Sequence, residues 1–232
     1  MPYVQLPNPP LRPARPGAAG MNFYYKLWHY GLQAIVPLVA SVRVVGRANV
    51  PASGGVLMVA NHLSMADIPV LMGAMPRHIH WMTKAELFDG WPMGMLMPPG
   101  EPVMVNRGKA DRTALKAAEA YLNNGELVGI FAEGHRSEAA GLQAARAGSV
   151  FLAQRSNALI LPVGLAGTER VFVKGFPWLR RSRIVLRIGP PFRLSELPAG
   201  HAKRPDRDQL AHELMARVAA LLPPAYRGVY GD

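Results

Sequence analysis

"GVLMVANHLSMADIPVLMGA", residues 55–74, reads as three segments in a row. Residues 55–60 (GVLMVA) are an unbroken apolar run of strand length. Residues 67–74 (DIPVLMGA) open on Asp67, a favoured N-cap residue, with Pro69 in the first turn, and predict a helix. Between them, His62 and Asp67 stand five positions apart. Neighbours on one helix face are three or four apart, and neighbours on one strand face an even number apart. Five suits neither. The spacing predicts a loop that folds an imidazole and a carboxylate towards each other, a place for chemistry rather than packing.

The alternation of strand and helix continues outward. HIHWMT (78–83) alternates like a strand, EPVMVN (101–106) is a short apolar segment, and LVGIF (127–131), LILPVGL (159–165) and RIVLRIG (183–189) read as strands. KADRTALKAAEAYLNNG (109–125) predicts a helix with Leu115, Ala118 and Leu122 on one face and Gly125 at its end. QAARAGSVFLAQRSN (143–157) and RDQLAHELMARVAALLP (207–223) predict two more. Strands separated by helices imply an α/β fold, with a mostly parallel central sheet flanked by helices. No internal repeat is present, and the chain divides into a flexible arm (1–20), a membrane-associated helical segment (21–45) and one large domain (46–232).

Half of the residues are hydrophobic and 18% are charged, which suits a domain with a real core and argues against disorder. The lack of cysteine excludes disulfides, thiolate nucleophiles and cysteine-based zinc sites. A formal net charge of +11 attracts polyanions, either nucleic acid or an anionic membrane surface. No helix-turn-helix, zinc-finger or RNP-like signature supports nucleic acid. For the membrane, MNFYYKLWHYGLQAIVPLVASVR (21–43) has sixteen uncharged residues between Lys26 and Arg43, with Phe23, Tyr24, Tyr25, Trp28 and Tyr30 crowded at its front. A spanning helix needs about 20 apolar residues. This shorter segment therefore predicts a helix that lies in or dips into one leaflet, its aromatic rings at the interface and its flanking cations on anionic lipid. A core helix of a soluble protein is the alternative. Residues 1–20 have no apolar stretch of signal-peptide type. HIH (78–80) puts two histidines on one strand face with no third ligand near in sequence, so no metal site is assigned.

Four constellations fall at the ends of predicted strands, where ligands gather in open α/β sheets. They are NHLSMAD (61–67), MVNR (104–107), IFAEGHRS (130–137) and ILPVGLAGT (160–168). Each alone has a plain reading as a surface charge or polar turn. In the order NHLSMAD, GEPVMVNR, FAEGHRS, LPVG, they resemble the four sequence blocks of the glycerophospholipid acyltransferases, most of all the bacterial 1-acylglycerol-3-phosphate acyltransferases. The resemblance runs from about residue 46 onward and includes KAELF (84–88), RAGSVFLAQRSNALILPVGLAGTE (146–169) and IGPPF (188–192). Ala132 stands where the family usually has Pro, His135 where it has Thr, and Asn106 where it has Asp.

The resemblance implies transfer of an acyl group from a thioester, acyl-CoA or acyl-carrier protein, to the hydroxyl of 1-acylglycerol 3-phosphate, giving phosphatidic acid. It implies no cofactor beyond that cosubstrate, a lysophospholipid acceptor rather than nucleic acid, and a place at the cytoplasmic face of the cell membrane. An alcohol is a poor nucleophile at neutral pH and needs a positioned base, a role that falls to His62. Asp67 would hold the other imidazole nitrogen and fix the tautomer. Arg107 and Arg136 suit the acceptor's phosphate because a guanidinium fork bonds two oxygens at once, and Lys84 is a further candidate for that anionic pocket. Glu133 would orient Arg136 or contact the glycerol, and Gly134 would let the backbone approach the ligand. The apolar stretch 87–100 offers an acyl-chain lining, a second membrane contact or ordinary core; the basic loop 174–183 grips anionic lipid or is simply solvated. Other readings stay open: a different acceptor, such as glycerol 3-phosphate or a lyso-aminolipid, or a lipid hydrolase using Ser64, although no Gly-x-Ser-x-Gly elbow surrounds it.

Overall fold

The computed structural model describes residues 21–84, 102–105, 111–136, 141–145, 148–172, 181–198 and 206–231. The arm 1–20, the apolar stretch 87–100, Arg107 and residues 174–180 of the basic loop lie outside them. Helix α1 (Phe23–Val39) leads into β1 (Ala40–Val45), followed by β2 (Val56–Ala60), α2 (Asp67–Ala74), β3 (Ile79–Lys84) and β4 (Val103–Val105). Then come α3 (Arg112–Asn123), β5 (Leu127–Phe131), α4 (Gly148–Ser156), β6 (Leu159–Ala166), β7 (Ser182–Ile188) and α5 (Arg207–Ala219). The strands form one sheet in the order β1-β7-β6-β2-β5-β3-β4. Strands β2 to β6 run parallel, β7 is antiparallel to β6, and β1 is parallel to β7. The architecture is the mostly parallel α/β sheet that the sequence predicts.

Central β2 is buried along its whole length, which is why its sequence is continuously apolar rather than alternating. Val56, Met58 and Ala60 face a core shared with α1 and α2, while Leu57 and Val59 face one shared with α3, α4 and α5. The register matters more for function. Ala60 pairs with Phe131, so the residues two places beyond each strand, His62 and Glu133, emerge side by side at the carboxyl edge of the sheet.

The N-terminal segment differs from its sequence reading. The helix stops at Val39, and Ala40–Val45 pairs with β7 as the edge strand β1. Its alternating burial, with Ala40 inside and Ser41 out, reflects the β-branched pattern of ASVRVV. Asn22 caps α1 through its side chain, accepting from the Tyr25 N–H at 2.8 Å. One face of α1 docks on the domain through Tyr25, His29 and Leu32. The Ile79 N–H donates to the Tyr25 hydroxyl, His29 Nδ1 donates to the Met72 carbonyl at 2.7 Å, and Gln33 donates to the Gly73 carbonyl. Two carbonyls at the end of α2 are thereby satisfied. The opposite face is apolar and exposed: Phe23, Tyr24, Leu27, Tyr30, Ile35 and Leu38 are each more than half open to solvent. No helix among the described residues is long and apolar enough to cross a membrane.

Candidate active site

The loop after β2 closes on itself as its odd spacing predicts. His62 Nδ1 lies 2.7 Å from Asp67 Oδ2. The same oxygen accepts the backbone N–H groups of Leu63 at 2.7 Å and Ser64 at 2.9 Å. An oxygen taking two backbone donors is an acceptor towards the ring as well, so Nδ1 carries the proton and Nε2 is left as the basic nitrogen. Asp67 was expected as an N-cap; the cap position is Ala66, and Asp67 is the first helical residue. Its carboxylate turns back into the loop instead. There it sits at the positive end of the α2 dipole, fully buried yet held by three donors.

Glu133 supplies a second buried carboxylate. Its Oε1 accepts the backbone N–H of His62 at 3.0 Å, as the strand register requires, and its Oε2 accepts the Gln143 N–H at 3.1 Å. It thus ties the His62 loop to residues 141–145. Gly134 has φ +74, the left-handed conformation a side chain resists, and its N–H closes a turn on the Phe131 carbonyl at 3.0 Å. That turn aims Glu133 at His62. Arg136 lies exposed just beyond, at the same edge. Lys84 ends β3, its backbone paired with Val105 of β4. From the sequence, Glu133 is expected to orient Arg136 or contact the glycerol; its bonds to the His62 and Gln143 N–H groups come to light only with the strand pairing.

Ser64 spends its hydroxyl on the backbone. Its Oγ donates to the Thr168 carbonyl at 3.0 Å and accepts the Ala66 N–H at 3.0 Å. Asn61 bridges to β6 in the same way, donating to the Leu165 carbonyl and accepting the Leu165 N–H. A stack missed in the sequence fixes the ring: His62 lies 4.0 Å from Phe131, nearly parallel, and Phe131 lies 5.0 Å from Trp81. Gly129 makes room for it, because a Cβ there would come within 2.9 Å of the Trp81 ring. That glycine inside LVGIF was the available signal. The histidines of HIH stack on each other at 4.4 Å, with His78 against Tyr25 and His80 against Tyr121.

A buried acid, an imidazole with one basic nitrogen and a loop serine whose hydroxyl is taken up by backbone bonds form an arrangement able to accept a proton from a hydroxyl. A family model described as Acyltransferase matches residues 41–166, more than half of the chain. The chain belongs to the Acyltransferase family. As an acyltransferase enzyme, it keeps His62, Asp67 and Glu133 inside the matched region. The chain is 29% identical over 189 residues to a 1-acyl-sn-glycerol-3-phosphate acyltransferase of Bacillus subtilis (strain 168), covering 81% of this chain and 89% of that one. It is 23% identical over 193 residues to a protein of that name from Borreliella burgdorferi, covering 81% and 74%. The crystal structure of the 1-acyl-sn-glycerophosphate (LPA) acyltransferase PlsC from Thermotoga maritima shares the fold, with a TM-score of 0.63 over 88% of this chain and 85% of that one, at 23% identity.

Proposed function

We propose that this acyltransferase moves an acyl group from acyl-CoA or acyl-carrier protein to the free hydroxyl of 1-acylglycerol 3-phosphate, forming phosphatidic acid for phospholipid synthesis. The observation that carries the reading is the 2.7 Å bond between His62 and buried Asp67 at the end of β2; the names of the Bacillus and Borreliella relatives favour this acceptor. His62 Nε2 takes the proton of the acceptor hydroxyl as its oxygen attacks the thioester carbon. Asp67 stabilises the imidazolium that forms. When the tetrahedral adduct collapses, the carbon–sulfur bond breaks and the imidazolium returns its proton to the leaving thiolate. Ester and thiol are the products, and the base is regenerated. Arg136 and Arg107 hold the phosphate with bidentate contacts, Lys84 adds to the same anionic pocket, and Gly134 allows the close approach.

The exposed apolar face of α1 supports an enzyme that works on an anionic membrane surface, at the cytoplasmic face. Docked by Tyr25, His29 and Gln33, α1 lies on the domain and presents its aromatic side outward. The chain's net charge of +11 adds attraction to acidic head groups. The test is purified full-length protein with acyl-CoA or acyl-carrier protein and a panel of 1-acylglycerol 3-phosphate, glycerol 3-phosphate and phosphate-free lysolipids. Turnover mainly with the first supports the reading. Turnover only with a phosphate-free acceptor sinks the roles given to Arg107, Arg136 and Lys84.

A further inference from the structure

The catalytic loop is braced from two sides, and both braces meet at one residue well outside the matched family region. On one side, His62 N–H bonds Glu133, and Glu133 bonds the Gln143 N–H. The neighbouring Leu142 N–H donates to the Tyr226 carbonyl at 3.1 Å, and the Leu142 carbonyl accepts the Val229 N–H at 3.1 Å. On the other side, Ser64 of the loop bonds the Thr168 carbonyl. The turn carrying Thr168 is held by Glu169, whose Oε2 accepts the Gly167 N–H at 3.0 Å and whose Oε1 accepts the Tyr226 hydroxyl at 2.7 Å. Tyr226 therefore touches the end of each chain of bonds, one through its backbone and one through its ring. Its phenol is raised above the ordinary tyrosine range, first by burial and then by Glu169, so it remains a donor throughout neutral pH.

We propose that Tyr226 is a positioning residue that locks the two walls of the site, Leu142–Gln143 and Gly167–Glu169, at the separation that holds His62 and Asp67 in their reacting geometry. It touches neither substrate nor the catalytic pair. It acts by preventing the Thr168 turn from drifting away from Ser64 while Glu133 keeps His62 in place. Misplacement by a fraction of an ångström lowers the rate of the chemical step more than it lowers substrate binding.

This rests on His62 and Asp67 being the reacting pair, but not on the identity of the acceptor. Tyr226→Phe in the full chain removes only the hydroxyl. With acyl-CoA and whichever acceptor the wild-type protein uses, kcat should fall about 3- to 10-fold, as loss of one such hydrogen bond allows, with both KM values within about twofold. Glu169→Ala should match it, Glu169→Gln should restore most of the rate because it keeps an acceptor, and the Tyr226→Phe/Glu169→Ala double variant should be no worse than either alone. Hydrogen exchange, which needs no substrate, should quicken over residues 61–67 in Tyr226→Phe and stay unchanged over 207–219. Wild-type kcat together with wild-type exchange at 61–67 would overturn the proposal, as would additive losses in the double variant. Were the wild-type protein to ignore 1-acylglycerol 3-phosphate, the acceptor assignment would fail while the exchange result still judged Tyr226.

Discussion

Two histidines show how the same ring is put to different ends. His29, on α1, gives its Nδ1 proton to the Met72 carbonyl and takes a bond from Gln33 on Nε2. The first bond joins α1 to α2, the second lies within α1, and both nitrogens are occupied by the protein itself. His62 gives its Nδ1 proton to a carboxylate instead, and among the described residues its Nε2 has no partner. A carboxylate, unlike a carbonyl, gains when the ring becomes an imidazolium. What separates the structural histidine from the proposed base is the second nitrogen and the charge of the first nitrogen's partner.

His62→Ala should give the largest loss, about 10²–10⁴-fold in kcat, the usual worth of a general base, with an unchanged circular dichroism spectrum. A smaller loss would mean the proton goes elsewhere. Asp67→Asn tests the partner's charge. It should cost on the order of 10²-fold in kcat with acceptor KM little altered, because an amide neither stabilises the imidazolium nor enforces the tautomer. Imidazole ¹⁵N shifts would show the change directly; a wild-type tautomer with wild-type rate would remove the carboxylate from the mechanism. His29→Ala supplies the contrast. It leaves the Met72 carbonyl unpaired in a buried contact, which costs about 1–3 kcal/mol, or roughly 2–4 °C in melting temperature for each kcal/mol in a chain of this size. The kcat at low temperature should stay at the wild-type value. A kinetic collapse like that of His62→Ala would erase the distinction.

What could be read beforehand follows the same division between local and long-range causes. The β2–loop–α2 unit was legible because its strand is continuously apolar and its two chemical residues stand at a spacing that only a loop can use. Strand β1 was not. Ala40–Val45 begins inside the uncharged run that ends at Arg43, and counting hydrophobicity across that run hides the change of period from helix to strand at Ala40. Asp67 was legible as a partner of His62 but not as a loop anchor, since its bonds to Leu63 and Ser64 come with a helix that starts one residue earlier than an N-cap reading assumes. Glu133 on the His62 backbone needs the register Ala60 to Phe131, and Tyr226 needs a turn 57 residues away in sequence. Neither leaves a local trace.

Two predictions concern the outer surfaces. Leu27 is 63% exposed on the apolar face of α1, away from the His29 join. Leu27→Glu should weaken binding to vesicles rich in anionic lipid by about tenfold or more, since an interfacial leucine contributes roughly 1.5–3 kcal/mol when buried. Melting temperature and activity on detergent-dispersed acceptor should not change. Unaltered vesicle binding would move the membrane contact off α1.

The smallest effect is expected at Arg136, exposed at the carboxyl edge beyond the Glu133 turn. If its planar fork holds phosphate, Arg136→Lys keeps the charge and loses one of two parallel bonds. The acceptor KM should rise about fivefold, the worth of roughly 1 kcal/mol, while kcat and the KM of the acyl donor stay near wild type. This pattern separates binding from base catalysis: His62 variants move kcat, and Arg136 variants move only the affinity for the phosphate-bearing partner. A fall in kcat at saturating acceptor would instead place Arg136 against the reacting groups. An unchanged KM for 1-acylglycerol 3-phosphate would leave the phosphate to other cations.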